Sequence, residues 1–157
     1  MLGARFYREG LNGYVQAGNP SSSPELLEQL AHSELDRIRQ RVAENTRTPV
    51  EVLELLATDR NADVRIAVGT NPSTPEHIRY SLAFDEDPNV RLGLAEDVNT
   101  PIELLERLME DEHPYVSCRA NDTKEVILSW GKPRDFGCHR FFRRAAGISG
   151  KANLRYA

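Results

Sequence analysis

The chain has 157 residues, of which 39% are hydrophobic and 28% charged, with a formal net charge of −4. That composition suits one soluble globular domain and excludes a disordered chain. No apolar run approaches the roughly 20 residues of a membrane-spanning helix, so membrane insertion is not expected. Two cysteines, Cys118 and Cys138, are too few for a disulfide framework, and the N-terminus lacks a signal-peptide pattern, so a cytoplasmic setting is expected. The charge is divided along the chain, at +1 over residues 1–18, −11 over 19–122 and +6 over 123–157. An acidic body with a basic tail is the result.

Residues 1–18 form an N-terminal cap segment in which Phe6, Tyr7, Leu11, Tyr14 and Val15 are the candidates to cover one end of the fold. From Asn19 a phrase recurs: Asn19-Pro-Ser-Ser-Ser-Pro24, Asn45-Thr-Arg-Thr-Pro49, Asn71-Pro-Ser-Thr-Pro75 and Asp97-Val-Asn-Thr-Pro101. The interval is 26 residues each time, and Asn121-Asp-Thr reads as a fifth, shorter start. Such a period means a stack of like supersecondary units rather than a single core.

Within the second copy, Thr48 before Pro49 predicts a helix start, with the hydroxyl accepting a backbone N–H and proline at the first helical position. Glu51 would complete a capping box, as Glu103 would after Thr100. Val52, Leu53, Leu56 and Ala57 then share one helical face. Asp59 to Asp63 reads as a turn, and Val64, Ala67 and Val68 resume a second short helix ending at Gly69-Thr70. Leu27, Leu30 and Ala31 repeat the first face in the first copy, and Ile38 and Val42 the second; Pro88 and Pro114 start the second helices of the third and fourth. Neither helix of a copy buries its apolar face alone. The predicted fold is therefore all-α, a right-handed α-α superhelix of about four and a half two-helix repeats over residues 19–130, with non-repeat terminal caps.

The Asn series predicts helix caps or Asx-turns. The row Arg39, Arg65 and Arg91 follows a core aliphatic in each copy and is broken by Ser117; Asp59, Asp85 and Asp111 form a second row. One account is an Asp–Arg ladder along a surface edge, worth ~0–1 kcal/mol per pair. The other is a row of cations facing a partner. Asp85-Glu-Asp87 and Glu110-Asp-Glu112 fall in corresponding turns and read as a solvated edge.

The string Asn-x-x-Thr-Pro-x-x-x-Leu-x-x-Leu-Ala-x-Asp, followed by Val-Arg and a closing Asn, resembles the leucine-rich repeat variant family over about residues 19–122. The match is best from Asn45 to Asn71: Thr48-Pro49, Val52-Leu53, Leu56-Ala57-Thr58-Asp59 and Val64-Arg65-Ile66-Ala67-Val68. The resemblance implies a fold similar to HEAT and armadillo superhelices, with α-helices alternating with shorter, partly 3₁₀ ones. It implies no enzymatic activity. A founding member carries an iron–sulfur cluster on a cysteine-rich segment before the repeats; residues 1–26 here contain no cysteine, so no cluster is expected.

Chemistry-bearing constellations are weak. His113, Cys118, Cys138 and His139 lack the paired spacing of a zinc site, and adjacent Cys138-His139 does not make a nucleophile pair. Gly147-Ile-Ser-Gly150-Lys151 lacks the glycine spacing of a phosphate loop. Residues 131–157 form a basic-aromatic tail or cap, and with Trp130 they supply Arg134, Phe136, Arg140, Phe141, Phe142, Arg143 and Arg144. That mixture suits a cap over the last repeat, a protein contact, or nucleic acid. The sequence thus predicts a non-enzymatic protein-binding module, an adaptor or assembly subunit without cofactor or metal. The repeat surface, Arg39, Arg65, Arg91 and the tail are its candidate contacts. The alternative is a nucleic-acid-binding HEAT-like protein using the Arg row and the basic tail; homo-oligomerisation is left open.

Overall fold

Prolines and a recurring Asn or Asp divide the chain into short helices. The computed structural model describes residues 2–129, with side chains from residue 10 onward. Trp130 and the candidate contacts Arg134, Phe136, Arg140, Phe141, Phe142, Arg143 and Arg144 lie outside the described residues. Helix α1 (Leu2–Ala17) comes first. The copies then contribute α2 (Pro24–Ala31) and α3 (Asp36–Glu44), and α4 (Val50–Leu56) and α5 (Ala62–Thr70). They continue with α6 (Glu76–Leu82) and α7 (Pro88–Glu96), and α8 (Ile102–Leu108) and α9 (Pro114–Leu128).

The second helices form a continuous row: α3 packs on α5, α5 on α7 and α7 on α9. Each first helix lies against the second helix of its own copy. Among the described residues there are no strands, and the layered packing is consistent with a helical solenoid. The predicted faces of the first two copies enter the core, with Leu30 and Ala57 only partly buried, and the same positions continue it through the third and fourth. Leu27, Leu53, Leu56, Leu104 and Leu105 from the first helices meet Ile38, Val42, Val64, Val68, Val90, Leu94 and Val116 from the second, all buried. Each large side chain removed from water stabilises by about 1.5–3 kcal/mol, which is what a short helix needs to persist. All the described helices are α; the 3₁₀ character implied by the resemblance is confined to i→i+3 bonds at helix ends, such as Val52 N–H to Pro49 O and Asp59 N–H to Leu56 O.

The Thr-Pro signature works differently from expectation. Pro49, Pro75 and Pro101 occupy the N-cap itself, and α4, α6 and α8 have no side-chain cap bond. The predicted capping boxes at Glu51 and Glu103 are therefore not formed. The threonine hydroxyls instead donate backwards, from Thr48 to Val42 O at 2.6 Å, Thr74 to Val68 O at 2.6 Å and Thr100 to Leu94 O at 2.8 Å. These carbonyls lie in the last turn of the preceding helix and already accept the N–H of Asn45, Asn71 and Asp97, so each hydroxyl adds a second hydrogen bond to the same oxygen. Ser22 does the same for Gln16 O, leaving Ser23 to cap α2 by accepting from the Leu26 N–H.

The Asn series makes the expected Asx-turns and also joins successive copies. Asn45 Oδ1 accepts from the Arg47 N–H, while its Nδ2 donates to Ala17 O at 2.8 Å and Asn19 O at 3.0 Å. Asn71 repeats this toward Ala43 O and Asn45 O. In the next position stands Asp97, which has no amide to donate. There Arg79 supplies the bond, from Nη2 to Asn71 O at 2.8 Å, with Nη1 reaching Asn99 O and lying 3.8 Å from Asp97 Oδ2.

The two ends differ from the sequence reading in how their helices are used. α1 packs on α3 as though it were the second helix of an earlier copy. From residue 10 onward its contact face is made by small residues rather than by Leu11, Tyr14 and Val15. Gly10 and Gly13 face α3 so closely that a Cβ would come within 3.0 Å of Leu35 and Ile38, and Ala17 is fully buried. Leu11, Tyr14 and Val15 are exposed instead, and the side chains of Phe6 and Tyr7 lie outside the described residues. At the far end, α9 runs straight through Asn121-Asp-Thr, so the fifth start is not a turn. Thr123 follows Asn121 by two residues rather than three and no proline follows it, so nothing interrupts the helical bonds.

Candidate functional site

Arg39, Arg65 and Arg91 sit one residue after a buried aliphatic, which turns each guanidinium toward the first-to-second-helix turn of the next copy. There Asp59, Asp85 and Asp111 wait, held in place because each carboxylate accepts a backbone N–H two residues on, from Asn61, Asp87 and His113. Each pairing is bidentate. Arg39 Nε and Nη2 donate to the two Asp59 oxygens at 2.6 and 2.9 Å, Arg65 to Asp85 at 2.7 and 2.8 Å, and Arg91 to Asp111 at 2.7 and 3.0 Å. The remaining Nη1 donates to a turn carbonyl of the arginine's own copy, Ser33, Asp59 or Asp85. Three rungs thus connect four copies.

These are not surface pairs. The arginine side chains are 8, 11 and 10% exposed, and their partners 9, 9 and 8%. Burial alone would raise the Asp59, Asp85 and Asp111 carboxyls, but the arginine hydrogen bonds and the turn N–H hold all three below the usual carboxylate range. The same hydrogen bonds, opposed by burial, raise the arginines further above their ordinary value. The ladder account of these residues therefore describes their placement, though not its energetics. A bidentate, desolvated pair differs from an exposed one, because removing one partner leaves a buried charge and costs about 3–5 kcal/mol.

With Arg39, Arg65, Arg79 and Arg91 inside, six arginines of residues 19–122 are left, against seventeen acidic residues outside the pairs with Asp59, Asp85, Asp97 and Asp111. Several of those six already meet carboxylates: Arg41 pairs with Glu44 at 2.7 Å, Arg119 with Glu96 at 3.3 Å and Arg107 with Glu110 at 3.7 Å. No row of open cations lies along the described repeat surface.

The turn edge between the third and fourth copies carries a cleft of about 320 Å³. Phe84 and Arg107 form its walls, Glu110 and Glu112 line its rim, and the Arg91–Asp111 rung lies beneath. Phe84 is 64% exposed, and the Arg107 guanidinium stands 5.0 Å from its ring centroid. Neither residue stands out in composition or motif. The signal is columnar: position 84 corresponds to His32, Thr58 and Glu110 in the other copies, and position 107 to Gln29, Leu55 and Ser81.

Among the described residues no group of three or more His, Cys, Asp or Glu side chains is arranged to hold a metal ion. Cys118 is half-buried on α9, and Cys138, His139 and the Gly147–Lys151 stretch lie outside the described residues. No helix among the described residues is long and apolar enough to cross a membrane. Comparison with protein-family models, with curated proteins and with solved structures gives no match.

Proposed function

We propose that the chain is a non-enzymatic protein-binding module, a repeat α-superhelix of the leucine-rich repeat variant type that serves as an adaptor or assembly subunit. On this reading the superhelix is right-handed, and partners engage the repeat surface together with the basic-aromatic segment 131–157. The observation that carries it is the fate of the arginines. Those of the row lie inside the ladder, and the surface around them is dominated by carboxylates with exposed aromatic side chains at Tyr80, Phe84 and Tyr115. Exposed aromatics on a stable scaffold suit protein contact, where such residues act as anchors. The titratable groups of the ladder have partners whose role is to hold copies together, which also favours a scaffold over a catalyst.

The nucleic-acid alternative required the Arg row on an open face. The ladder withdraws Arg39, Arg65 and Arg91 from that use, leaving the segment 131–157 to carry it against an acidic body. Affinity purification of the full chain with mass spectrometry is expected to recover a protein partner that survives nuclease treatment. The full chain is expected to pass through heparin at moderate salt. Retention on heparin that falls steeply with salt would reverse the choice. Undiminished partner recovery after truncation at Ser129 would remove the tail from the interface.

A further inference from the structure

In a repeat array the positions that build the stack are reused, so a departure in one copy has a local reason. Two kinds of departure occur here. Arg79 is buried beside the enclosed Oδ2 of Asp97, and the two compensate one another within the Asn series. Phe84 and Arg107 are different, because they face each other at the surface and support no buried group. Thr58 shows that a small polar residue serves at this position, yet the third copy keeps a ring there that is mostly in water. A single exposed apolar side chain is ordinary on a protein surface; what sets Phe84 apart is that it lines a cleft together with Arg107 and the carboxylates of Glu110 and Glu112.

The surroundings specify the occupant's charge. Glu112 has a side chain 92% exposed and approaches Arg91 Nη2 only to 4.0 Å, and Glu110 is shared with Arg107 at 3.7 Å. Glu86 is exposed on the adjoining turn. Asp85 and Asp111 are already neutralised by the ladder, so the rim carboxylates are the ones that remain for a ligand. Tyr80, exposed on the last turn of α6, stands four residues before Phe84 in the chain and adds a second exposed aromatic side chain beside the turn that carries it. The Arg107 guanidinium against Phe84 shows which group this ring accepts, since a cation over an aromatic face is attracted by its quadrupole. At about 320 Å³ the cleft is at the small end of ligand pockets, suited to a side chain rather than a cofactor.

We infer that this turn edge is a docking groove for a basic segment of a partner protein, with a lysine or arginine side chain seated between Phe84 and the Glu110–Glu112 rim and a neighbouring apolar residue against Tyr80. The inference rests on the protein-binding reading and names its partner class. It is tested with the full chain by fluorescence anisotropy on three labelled 15-residue peptides. One alternates Arg and Lys with Leu and Phe, one has Glu in place of the basic residues, and one has Ala in place of the apolar ones. The first is expected to bind saturably and the other two at least tenfold more weakly. Phe84→Ser, and separately the pair Glu110→Gln and Glu112→Gln, should weaken the first peptide at least tenfold, while Val98→Ser on another turn leaves it unchanged. All these positions are exposed, and circular dichroism checks that the variants fold. Absence of saturable binding, or binding indifferent to both sets of changes, overturns the site. A photo-crosslinking residue at position 84 that captures residues 131–157 of the same chain in preference to the peptide overturns the choice of occupant. If either happens while affinity purification still recovers a protein partner, the site is wrong and the protein-binding reading survives.

Discussion

Asn45 and Asn71 each have a donor and an acceptor, and both are used: the oxygen closes the turn and the amide reaches back to the stretch before the copy. Aspartate at position 97 retains only the first function. Arg79 stands where the other copies have Leu27, Leu53 and Leu105, and it restores the lost bond to Asn71 O while bringing a cation to the buried carboxylate. The substitution is imperfect, since Arg79 Nε and Asp97 Oδ2 are both buried without a hydrogen-bond partner. Arg79→Leu alone should therefore destabilise by about 3–5 kcal/mol, because it strands a buried carboxylate. Asp97→Asn alone strands a buried guanidinium and should also destabilise. Together they recreate the Leu53–Asn71 arrangement, so the double variant is expected to lie within about 1 kcal/mol of the parent, a strong coupling. Urea unfolding of the four proteins measures it; additive single effects would refute the compensation.

At the level of elements, the apolar periodicity made the helices legible and placed nearly every core side chain correctly. What it did not reveal was the direction of hydrogen bonds. A threonine hydroxyl both donates and accepts, so a Thr-Pro pair between two helices reads equally as a cap on the later helix or a clamp on the earlier one. Burial decides for the clamp, because Thr48, Thr74 and Thr100 are covered by the stack and each hydroxyl donates to a carbonyl of the preceding helix that has a second lone pair to accept it. The Asp–Arg rows were legible as rows, but not as buried, since a charged residue after an aliphatic one has no sequence mark of desolvation. The Phe84–Arg107 cleft was hidden because the repeat pattern draws attention to what recurs. Thr74→Val is expected to cost about 1 kcal/mol through the lost bond to Val68 O, with Thr74→Ser retaining much of it. Glu51→Ala should change stability by less than about 0.5 kcal/mol, against about 1 kcal/mol for a real cap. Thermal unfolding distinguishes the two readings.

Over the whole molecule, stability passes through interfaces between neighbours, and each of the three rungs strengthens one of them. This gives the fold a defined response to acid. The folded Asp59, Asp85 and Asp111 carboxyls lie below their unfolded value, near 3.9, so their contribution is complete above that value and is lost as pH falls through the folded range. The arginines are displaced upward, so the rungs introduce no loss on the mildly alkaline side. Stability against urea is expected to be flat from about pH 6 to 9 and to fall below about pH 4. Asp85→Asn, already less stable at neutral pH, should fall less steeply because one titrating rung is gone. Salt separates the ladder from the surface around it. Buried pairs are screened little, whereas exposed carboxylates on the turn edge act through water, where the Debye length is about 8 Å at physiological ionic strength. Raising salt from 0.15 to about 1 M should thus weaken a basic peptide at the Phe84 cleft while leaving the acid unfolding midpoint nearly unmoved. A midpoint that shifts with salt as strongly as the peptide affinity does would mean that the rungs open to solvent before the fold does.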